Sequence, residues 1–448
     1  MGSSKSTTYP TTYLRSLVAD RVSAVSRYCD ELVQWLPHPW DSGELLELCD
    51  CPKKRSISDP TQLGELPRGG DARTALLLNG TFNYDFDIHK LLVEMRPALS
   101  RGSRVVAVCY NPYLRWVYRL ADAFGLRDAP LPTTFVTHAA ISDIARTAGY
   151  EVVRARTACH IPFSLFGLGD LLNRLLSAIP LLRQLALVTV LFLRPLPGSS
   201  ERSEGPPSLS ILIPARDERG NIEAALERLP DFGGADIEVI FVEGHSTDGT
   251  WEEIQRVAAE WSDRISCLTF QQTGVGKADA VRFGFGHATK DLLTILDADL
   301  TMPPEHLARY YDAWCAGLGD FVNGSRLVYP MEGEAMRRLN LLGNVFFAKA
   351  LSVILDMRIS DTLCGTKLLA RRDYERFVAW RRDFGDCDPF GDFELLFPAA
   401  TMALGTVDVA VRYRDRTYGA TSISRFRHGF QLLRMTAIGL WRIKLGKG

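Results

Sequence analysis

A polar linker divides this chain of 448 residues into two apolar parts. Residues 195–208 have the sequence Pro-Leu-Pro-Gly-Ser-Ser-Glu-Arg-Ser-Glu-Gly-Pro-Pro-Ser, between two strongly apolar runs. Pro, Gly and Ser in such a position are typical of a connection between domains. The linker therefore predicts at least two domains. The expected boundaries are a disordered tail at 1–12, a first domain at 13–194, a second domain at 209–411 and a C-terminal segment at 412–448.

Charge and cysteine content exclude several classes of protein. The formal net charge is −1, so the chain lacks the basic excess of a nucleic-acid-binding surface. The nine cysteines are mostly scattered and include no CxxC pair. That usage predicts reduced thiols in the cytoplasm and no zinc site of the CxxC kind.

The most apolar stretch, 171–193, does not have the composition of a membrane span. It carries Arg174, Arg183 and Gln184, with Pro180 in its middle, whereas a span needs about 20 nearly uncharged residues. We predict a buried helix followed by a buried strand.

Strands and helices are predicted to alternate along the first half. This alternation indicates part of a parallel, doubly wound α/β sheet. The predicted strands are 75–78, 104–109, 150–153 and 185–193. The predicted helices are 88–99, 114–124 and 140–148.

Residues 76–87 and 99–107 make the first half resemble a class I S-adenosylmethionine methyltransferase. The resemblance implies a Rossmann-like fold and, in intact members, a glycine-rich cofactor turn after the first strand. The candidate first strand here is Glu44–Leu48, and Cys-Asp-Cys-Pro follows it without a GxG turn. Because the backbone approaches a cofactor closely only at glycines, we predict a truncated, degenerate domain that binds no S-adenosylmethionine.

The second half places acidic loops after apolar strands. Predicted strands at 209–214, 237–242 and 292–296 are followed by Arg-Asp-Glu, by Glu-Gly-His-Ser-Thr-Asp-Gly-Thr and by Asp297-Ala-Asp299. In a parallel sheet these loops meet at the carboxyl edge, where ligands bind. Asp297 and Asp299 have the spacing for one hard divalent cation, which would suit a diphosphate substrate.

The ordered series of motifs resembles family 2 glycosyltransferases of GT-A fold, and within them the dolichol- and polyprenyl-phosphate hexosyltransferases. The motifs are Pro-Ala-Arg-Asp-Glu, Glu-Gly-His-Ser-Thr-Asp-Gly-Thr, Gly-Val-Gly-Lys-Ala-Asp-Ala and Leu-Asp-Ala-Asp-Leu, between 209 and about 444. The resemblance implies inverting transfer of a hexose from a UDP- or GDP-sugar to a polyprenyl phosphate, with Mg²⁺ or Mn²⁺.

The resemblance also assigns roles to single residues. Arg216 stands where the family usually has an aromatic residue, and Glu243 stands where it usually has an aspartate. The implied nucleotide-sugar contacts are Pro214, Asp217, Glu218, Glu243, Lys277, Asp279 and Asp297. The implied metal ligands are Asp297 and Asp299. The implied acceptor-phosphate contacts are Arg326, Arg337, Arg338, Arg416 and Ser422. The implied catalytic residues are Asp299, Asp392, Arg326 and Arg416, with Glu394 as a further acidic candidate.

The segment 412–448 predicts contact with a membrane surface. It holds nine cations and a single acid, Asp415, interleaved with apolar residues around Trp441. A basic amphipathic helix with Trp is typical of peripheral binding to anionic lipid. We therefore expect a cytoplasmic enzyme attached to the cytoplasmic face of a membrane, with Arg434, Arg442 and Lys444 among the lipid-facing cations.

Three alternatives remain open from the sequence. The acceptor could be another glycolipid or a polysaccharide end, although the Gln-x-x-Arg-Trp motif of processive synthases is absent. A sugar nucleotidyltransferase would need a glycine-rich basic loop after its first strand, which 214–218 does not supply. A non-catalytic scaffold would not need the Asp297/Asp299 pair.

Overall fold

The computed structural model contains two sheets, one on each side of the predicted linker. It describes residues 9–66, 72–85, 87–127, 129–197, 205–329, 338–385, 388, 391–414, 416, 418 and 425–446. The first helix begins at Tyr9, so the tail predicted at 1–12 extends too far into the chain. Residues 1–8 lie outside the described part.

The first sheet is mostly parallel and has helices on both faces. Its strands are β1 (Glu31–Trp35), β2 (Lys54–Ile57), β3 (Thr74–Asn79), β4 (Arg104–Tyr110), β5 (Tyr150–Cys159) and β6 (Val188–Pro195). The helices of this half are α1 (Tyr9–Ser26), α2 (Glu44–Leu48), α3 (Ile88–Met95), α4 (Arg115–Ala123), α5 (His138–Thr147) and α6 (Leu168–Ala178). The order is β2-β1-β3-β4-β6-β5, with β6 antiparallel to both neighbours. The α/β class predicted for this half is confirmed.

The predicted first strand was wrong. Glu44–Leu48 forms α2, a short helix with Leu45 and Leu46 buried, and the first strand is β1, which the apolar pattern did not reveal. The segment 36–40 after β1 is Leu-Pro-His-Pro-Trp and contains no glycine. The rings of His38 and Trp40 stack there with centroids 4.7 Å apart, and Tyr84 packs edge-on to Trp40 at 5.9 Å. His38, Trp40 and Tyr84 thus form an aromatic cluster next to the end of β1.

The second sheet is mixed and larger. Its strands are β7 (Leu209–Ala215), β8 (Ile237–Glu243), β9 (Ser266–Gln271), β10 (Leu292–Ile295), β11 (Phe321–Ser325), β12 (Lys367–Ala370) and β13 (Thr406–Ala410). Its helices are α7 (Ile222–Glu227), α8 (Thr250–Trp261), α9 (Lys277–His287), α10 (Leu307–Cys315), α11 (Arg338–Leu355), α12 (Arg371–Phe384), α13 (Phe393–Thr401) and α14 (Arg425–Gly439). The order is β13-β11-β12-β10-β7-β8-β9, and β12 is antiparallel to β10 and β11. The carboxyl ends of β7, β8, β10 and β11 and the amino end of β12 therefore lie at one edge.

Buried arginines of the first half join the two sheets. Asp320, immediately before β11, accepts hydrogen bonds from Arg101 (3.3 Å), Arg104 (2.7 Å) and Arg194 (3.3 Å). Arg73 lies 3.3 Å from Asp373 of α12 in a second buried ion pair. These charged groups are removed from water, so each needs a partner of opposite charge. The arginines of the first half and the two aspartates of the second half supply these partners to one another.

No helix in the described part of the chain is long and apolar enough to cross a bilayer.

Two predictions about the apolar segments need correction. Strand β6 is buried as predicted, but α6 is not a buried helix, since Leu171 and Leu175 are exposed. In the C-terminal segment Arg434 is exposed, whereas Lys444 is buried and pairs with Asp356, so Lys444 does not face a membrane.

Candidate active site

The predicted acidic loops converge at the carboxyl edge of the second sheet. Asp297 and Asp299 directly follow β10, and residues 216–218 follow its neighbour β7. The loop 244–249 follows β8, and Arg326 follows β11. These strand ends place the predicted nucleotide, metal and phosphate residues around one site.

Asp297 pairs with Lys277, the first residue of α9. The Lys277 ammonium donates to Asp297 Oδ1. Burial alone would raise the pKa of Asp297, but the charge and hydrogen bond of Lys277 outweigh it and hold that pKa below its ordinary value. Gly365 permits this contact, because a Cβ there would lie 2.2 Å from both Asp297 Oδ2 and Lys277 Nζ. Asp297 is therefore ionised and already faces a cation.

Asp299 shares an arginine with Glu218. Arg416 Nη2 donates to Asp299 Oδ2 at 2.6 Å, and Arg416 Nη1 lies 3.4 Å from Glu218 Oε1. The other oxygen of Asp299 accepts from the N–H (3.1 Å) and the hydroxyl (2.7 Å) of Thr301. Arg416 therefore contacts two carboxylates, Asp299 in the loop after β10 and Glu218 in the loop after β7.

The surroundings of Glu218 raise the pKa of its carboxyl group to about 7. Burial raises its pKa, Arg416 and Asn221 Nδ2 (2.7 Å) lower it, and Asp299 and Asp248 raise it again, leaving it at about 7. A folded-state pKa above the unfolded value means that the folded protein binds a proton more tightly. The resulting stabilisation is complete below the unfolded pKa, ordinarily about 4.5, and is lost as the pH rises through 7.

We expect Glu218→Gln to remove this pH dependence. Relative to the parent, the variant should gain stability between about pH 5 and pH 8, by on the order of 1–3 kcal/mol in the free energy of unfolding. Urea unfolding at pH 5 and pH 8 measures the difference. Glu252→Gln, an exposed glutamate on α8, is the matched control, and a stability gain that is equal at both pH values would contradict the prediction.

The remaining predicted donor residues line the neighbouring loops. Asp217 has a left-handed backbone (φ 54) and accepts from the Thr247 N–H at 2.8 Å. Pro214 is half-buried on β7, and the carboxylate of Asp279 lies against Gly274. Glu243 is buried and accepts from the Ser246 N–H and from Gln271 Nε2 (3.1 Å). Glu243 therefore holds its own loop together. Asp217 and Asp279 are half-buried, and Oδ2 of Asp279 is buried without a hydrogen-bond partner among the described residues.

The segment between β13 and α14 packs against the loop that follows β7. The ring of Tyr418 packs on Gly220, where an added Cβ would come within 2.6 Å of it, and its hydroxyl lies 3.3 Å from Asp248 Oδ2. Asp248 also accepts from the Thr250 N–H at 3.0 Å, next to the start of α8. That bond ties Asp248 to the start of α8, although the residue at the cap position is Gly249.

Two further ion pairs involve residues predicted to act at the acceptor. Arg326 donates to both oxygens of the buried Asp361, at 2.7 and 2.9 Å. Lys367 is buried and donates to Asp392. The segment 361–367 contains one member of each pair, Asp361 and Lys367, and neither was predicted from the sequence as a site residue. These two residues are the only charged ones in the segment.

The predicted acidic candidates Asp392 and Glu394 both form ion pairs. Asp392 is buried against Lys367, and Glu394 pairs with Arg282 (2.7 Å) and Arg381 (3.3 Å). These pairs favour a structural role for both acids. Arg337 and Ser422 lie outside the described residues, and Arg338 is placed only as the first residue of α11.

The donor set of Asp297 and Asp299 fits a hard divalent cation. Both carboxylates are adjacent at one strand end, and in this structure each is balanced by a side-chain cation, Lys277 or Arg416. Among the described residues no third acidic, His or Cys side chain completes a protein-only metal cluster. The site therefore suits Mg²⁺ or Mn²⁺ that takes its other ligands from substrate oxygens and water.

Comparison with known proteins gives a family for this α/β domain. Residues 210–377 match the model of glycosyl transferase family 2. The C-terminal half thus carries a family 2 glycosyltransferase domain, as predicted. The match lies wholly in that half, so the methyltransferase-like origin of the N-terminal half stays a prediction.

Curated relatives share the second half in part. A dolichol-phosphate mannosyltransferase of Pyrococcus furiosus is 32% identical over 121 residues, which are 27% of this chain and 33% of the relative. A dolichyl-phosphate hexose transferase of Haloferax volcanii is 29% identical over 210 residues, 47% of this chain and 82% of the relative. An undecaprenyl-phosphate 4-deoxy-4-formamido-L-arabinose transferase of an Enterobacter strain is 30% identical over 227 residues, 49% of this chain and 63% of the relative. The chain thus spans between one third and four fifths of these relatives.

Solved structures show a more distant likeness. Glucosyl-3-phosphoglycerate synthase of Mycobacterium tuberculosis, in complex with Mn²⁺, UDP and phosphoglyceric acid, has a TM-score of 0.39 at 16% identity. The alignment covers 53% of this chain and 78% of that one. A mannosyltransferase of Pyrobaculum calidifontis, in complex with GDP-Man and Mn²⁺, has a TM-score of 0.34 at 19% identity, covering 51% and 60%. At these scores the likeness adds no argument about function.

Proposed function

We propose that the protein transfers a hexose, with inversion, from a UDP- or GDP-sugar to a polyprenyl phosphate. The observation that carries the proposal is the meeting of Asp297 and Asp299 with Lys277, Arg416 and Arg326 at one sheet edge. Carboxylates for a cation beside guanidinium groups for phosphates suit a donor and an acceptor that are both anions. The names of the polyprenyl-phosphate transferases among its relatives support the acceptor class.

The residues on the acceptor side support a phosphate nucleophile. A phosphate oxygen is already anionic near neutral pH, so it needs positioning and charge neutralisation more than a general base. Asp392 and Glu394 are each held in ion pairs, and so neither is presented as a base. Asp361 holds the Arg326 side chain by two hydrogen bonds. Arg326 can therefore bind an anion with little further loss of side-chain entropy.

Arg416 links the donor and acceptor ends of the site. A divalent cation on Asp297 and Asp299 would neutralise the departing nucleoside diphosphate. In this structure the Arg416 guanidinium contacts Asp299 and neutralises it. Displaced from Asp299, it would bind the acceptor phosphate bidentately, which orders donor binding before acceptor binding.

A transfer assay with matched acceptors tests the proposal. UDP- and GDP-sugars are offered with Mg²⁺ or Mn²⁺ to a short-chain polyprenyl phosphate and to the same polyprenol without phosphate. We expect product only from the phosphate, with loss of activity when the metal is chelated. Equal transfer to the free alcohol, or transfer only to an oligosaccharide end, would contradict the proposed acceptor.

A further inference from the structure

Helix α6 of the N-terminal half carries its apolar face outward. Its buried residues are Gly169, Asn173 and Ser177, whereas Leu171 and Leu175 are 53% and 46% exposed. A surface helix of a globular protein ordinarily turns its apolar stripe to the core and its polar face to water. The reversed arrangement indicates that something apolar covers the leucines.

The polar face of α6 is firmly anchored, so the leucines are held outward. Asn173 Oδ1 accepts from the N–H groups of His160 (2.7 Å) and Ile161 (2.9 Å), and its Nδ2 donates to the Ile161 carbonyl (2.9 Å). On the same helix, Asp170 accepts from the Tyr13 hydroxyl at 2.6 Å. Turning the leucines inward would break all four bonds.

The turn before α6 holds a further aromatic side chain in solvent. Leu165 (φ 45) and Phe166 (φ 55) are successive non-glycine residues with left-handed backbone, and Phe166 is fully exposed. Such conformations are costly for bulky residues and are retained mostly at functional positions. The turn thus extends the exposed apolar surface of α6.

This surface continues onto the C-terminal helices. Asp356, at the end of α11, accepts from Arg183, which follows α6, and from Lys444, which follows α14. The three segments of the chain that lead to this junction carry exposed apolar residues. They are Ile179, Leu181, Leu185, Leu342, Phe346, Val353, Phe430, Leu433, Leu440 and Trp441.

The charges on this combined face are almost all positive. Arg174, Lys349, Arg358 and Arg434 are exposed on or beside the three helices. In sequence, α6, α11 and α14 contain one acid, Asp170, which accepts from Tyr13. An apolar face rimmed by cations is complementary to anionic lipid rather than to a neutral or basic protein surface.

We propose that α6 and its preceding turn form a second membrane-contact surface, which binds an anionic bilayer together with α11 and α14. This inference gives the N-terminal half a role, and it rests in part on the proposed function, because a polyprenyl phosphate acceptor lies in a bilayer. The leucines of α6 enter the lipid interface, and Arg174 meets the headgroups.

Vesicle sedimentation of the full chain tests the inference. The probe is vesicles of phosphatidylcholine mixed with phosphatidylglycerol, and the variant is Leu171→Gln/Leu175→Gln. We expect roughly ten-fold weaker partitioning, because the buried apolar area falls. Val93→Gln is the matched control, since Val93 is 45% exposed on α3 of the same half. Arg174→Glu, which keeps the α6 leucines, should also bind more weakly, and its deficit should shrink as salt rises.

The outcomes separate this inference from the proposed function. Transfer to a short-chain acceptor in free solution, without vesicles, should be equal in parent and variant. Parental vesicle binding by both α6 variants overturns the inference. So does sedimentation equilibrium in which the parent is a dimer that Leu171→Gln/Leu175→Gln dissociates, because a second copy then covers the helix. If the parent itself transfers nothing to the short-chain acceptor, the proposed function fails while vesicle binding still decides the role of α6.

Discussion

Asp299→Asn should lower the rate of hexose transfer by roughly 10³-fold, the scale expected when a group that stabilises developing charge is lost. A neutral amide is a weaker ligand to a hard cation than a carboxylate, and it removes the anion that Arg416 contacts. Asn keeps an oxygen that can accept from the Thr301 N–H and hydroxyl, so the loop should hold its shape. Steady-state assays at saturating metal measure the loss.

The matched control for this variant is Asp263→Asn, an exposed aspartate in the loop after α8. It should retain parental activity, and both variants should unfold at the parental temperature. Parental transfer by Asp299→Asn with metal present would contradict the metal assignment. Loss of activity together with a large fall in melting temperature would show that the substitution acted on the fold.

The sequence predicted the strands of the donor site well because their chemistry is local. β7, β8 and β10 are short apolar runs followed at once by polar loops, and parallel order then fixes where those loops meet. The same logic failed for β1 and α2. β1 is Glu-Leu-Val-Gln-Trp, with a buried glutamine, and α2 is Glu-Leu-Leu-Glu-Leu, which alternates enough to look like a strand. Five residues carry too little periodicity to separate a helix from a strand.

The pairings within the site could not be obtained from sequence. Arg416 is 198 residues from Glu218 and 117 from Asp299, and nothing in the local pattern says which anion it meets. The family resemblance implied that Arg416 binds the acceptor phosphate, and the structure shows that its guanidinium also contacts Asp299. Local motifs therefore predicted candidate site residues, and the chain topology determined which side chains they contact.

Helix α6 shows a different limit. Its leucines follow helical spacing, which for a globular protein predicts a core-facing stripe. The decisive groups are Asn173 and the backbone of 160–161, which fix the polar face inward. A periodic pattern identifies the apolar face of a helix but not what lies against it.

Asp320→Asn should cost about 3–5 kcal/mol in the free energy of unfolding, the range expected when one partner of a buried charge cluster is removed. The variant leaves Arg101, Arg104 and Arg194 without their shared carboxylate, and Arg104 and Arg194 are almost fully buried. Asn retains an oxygen for the Gly405 N–H, which donates to Asp320 at 3.1 Å, so the effect comes mainly from charge. Urea unfolding at pH 7 measures it, with the exposed Asp312→Asn on α10 as the matched control.

The pH dependence of the Asp320 effect distinguishes charge from packing. Burial would raise the pKa of Asp320, but Arg104, Arg194 and Arg101 outweigh it and hold that pKa well below its ordinary range. A depressed carboxyl pKa stabilises the folded state above the unfolded value, about 3.8, and this contribution is lost as the pH falls towards the folded value. The gap between parent and Asp320→Asn should therefore stay constant from pH 8 to pH 5 and narrow below about pH 4. A gap of the same size at pH 3 would mean that Asp320 acts through shape, and that the two halves are not joined through its charge.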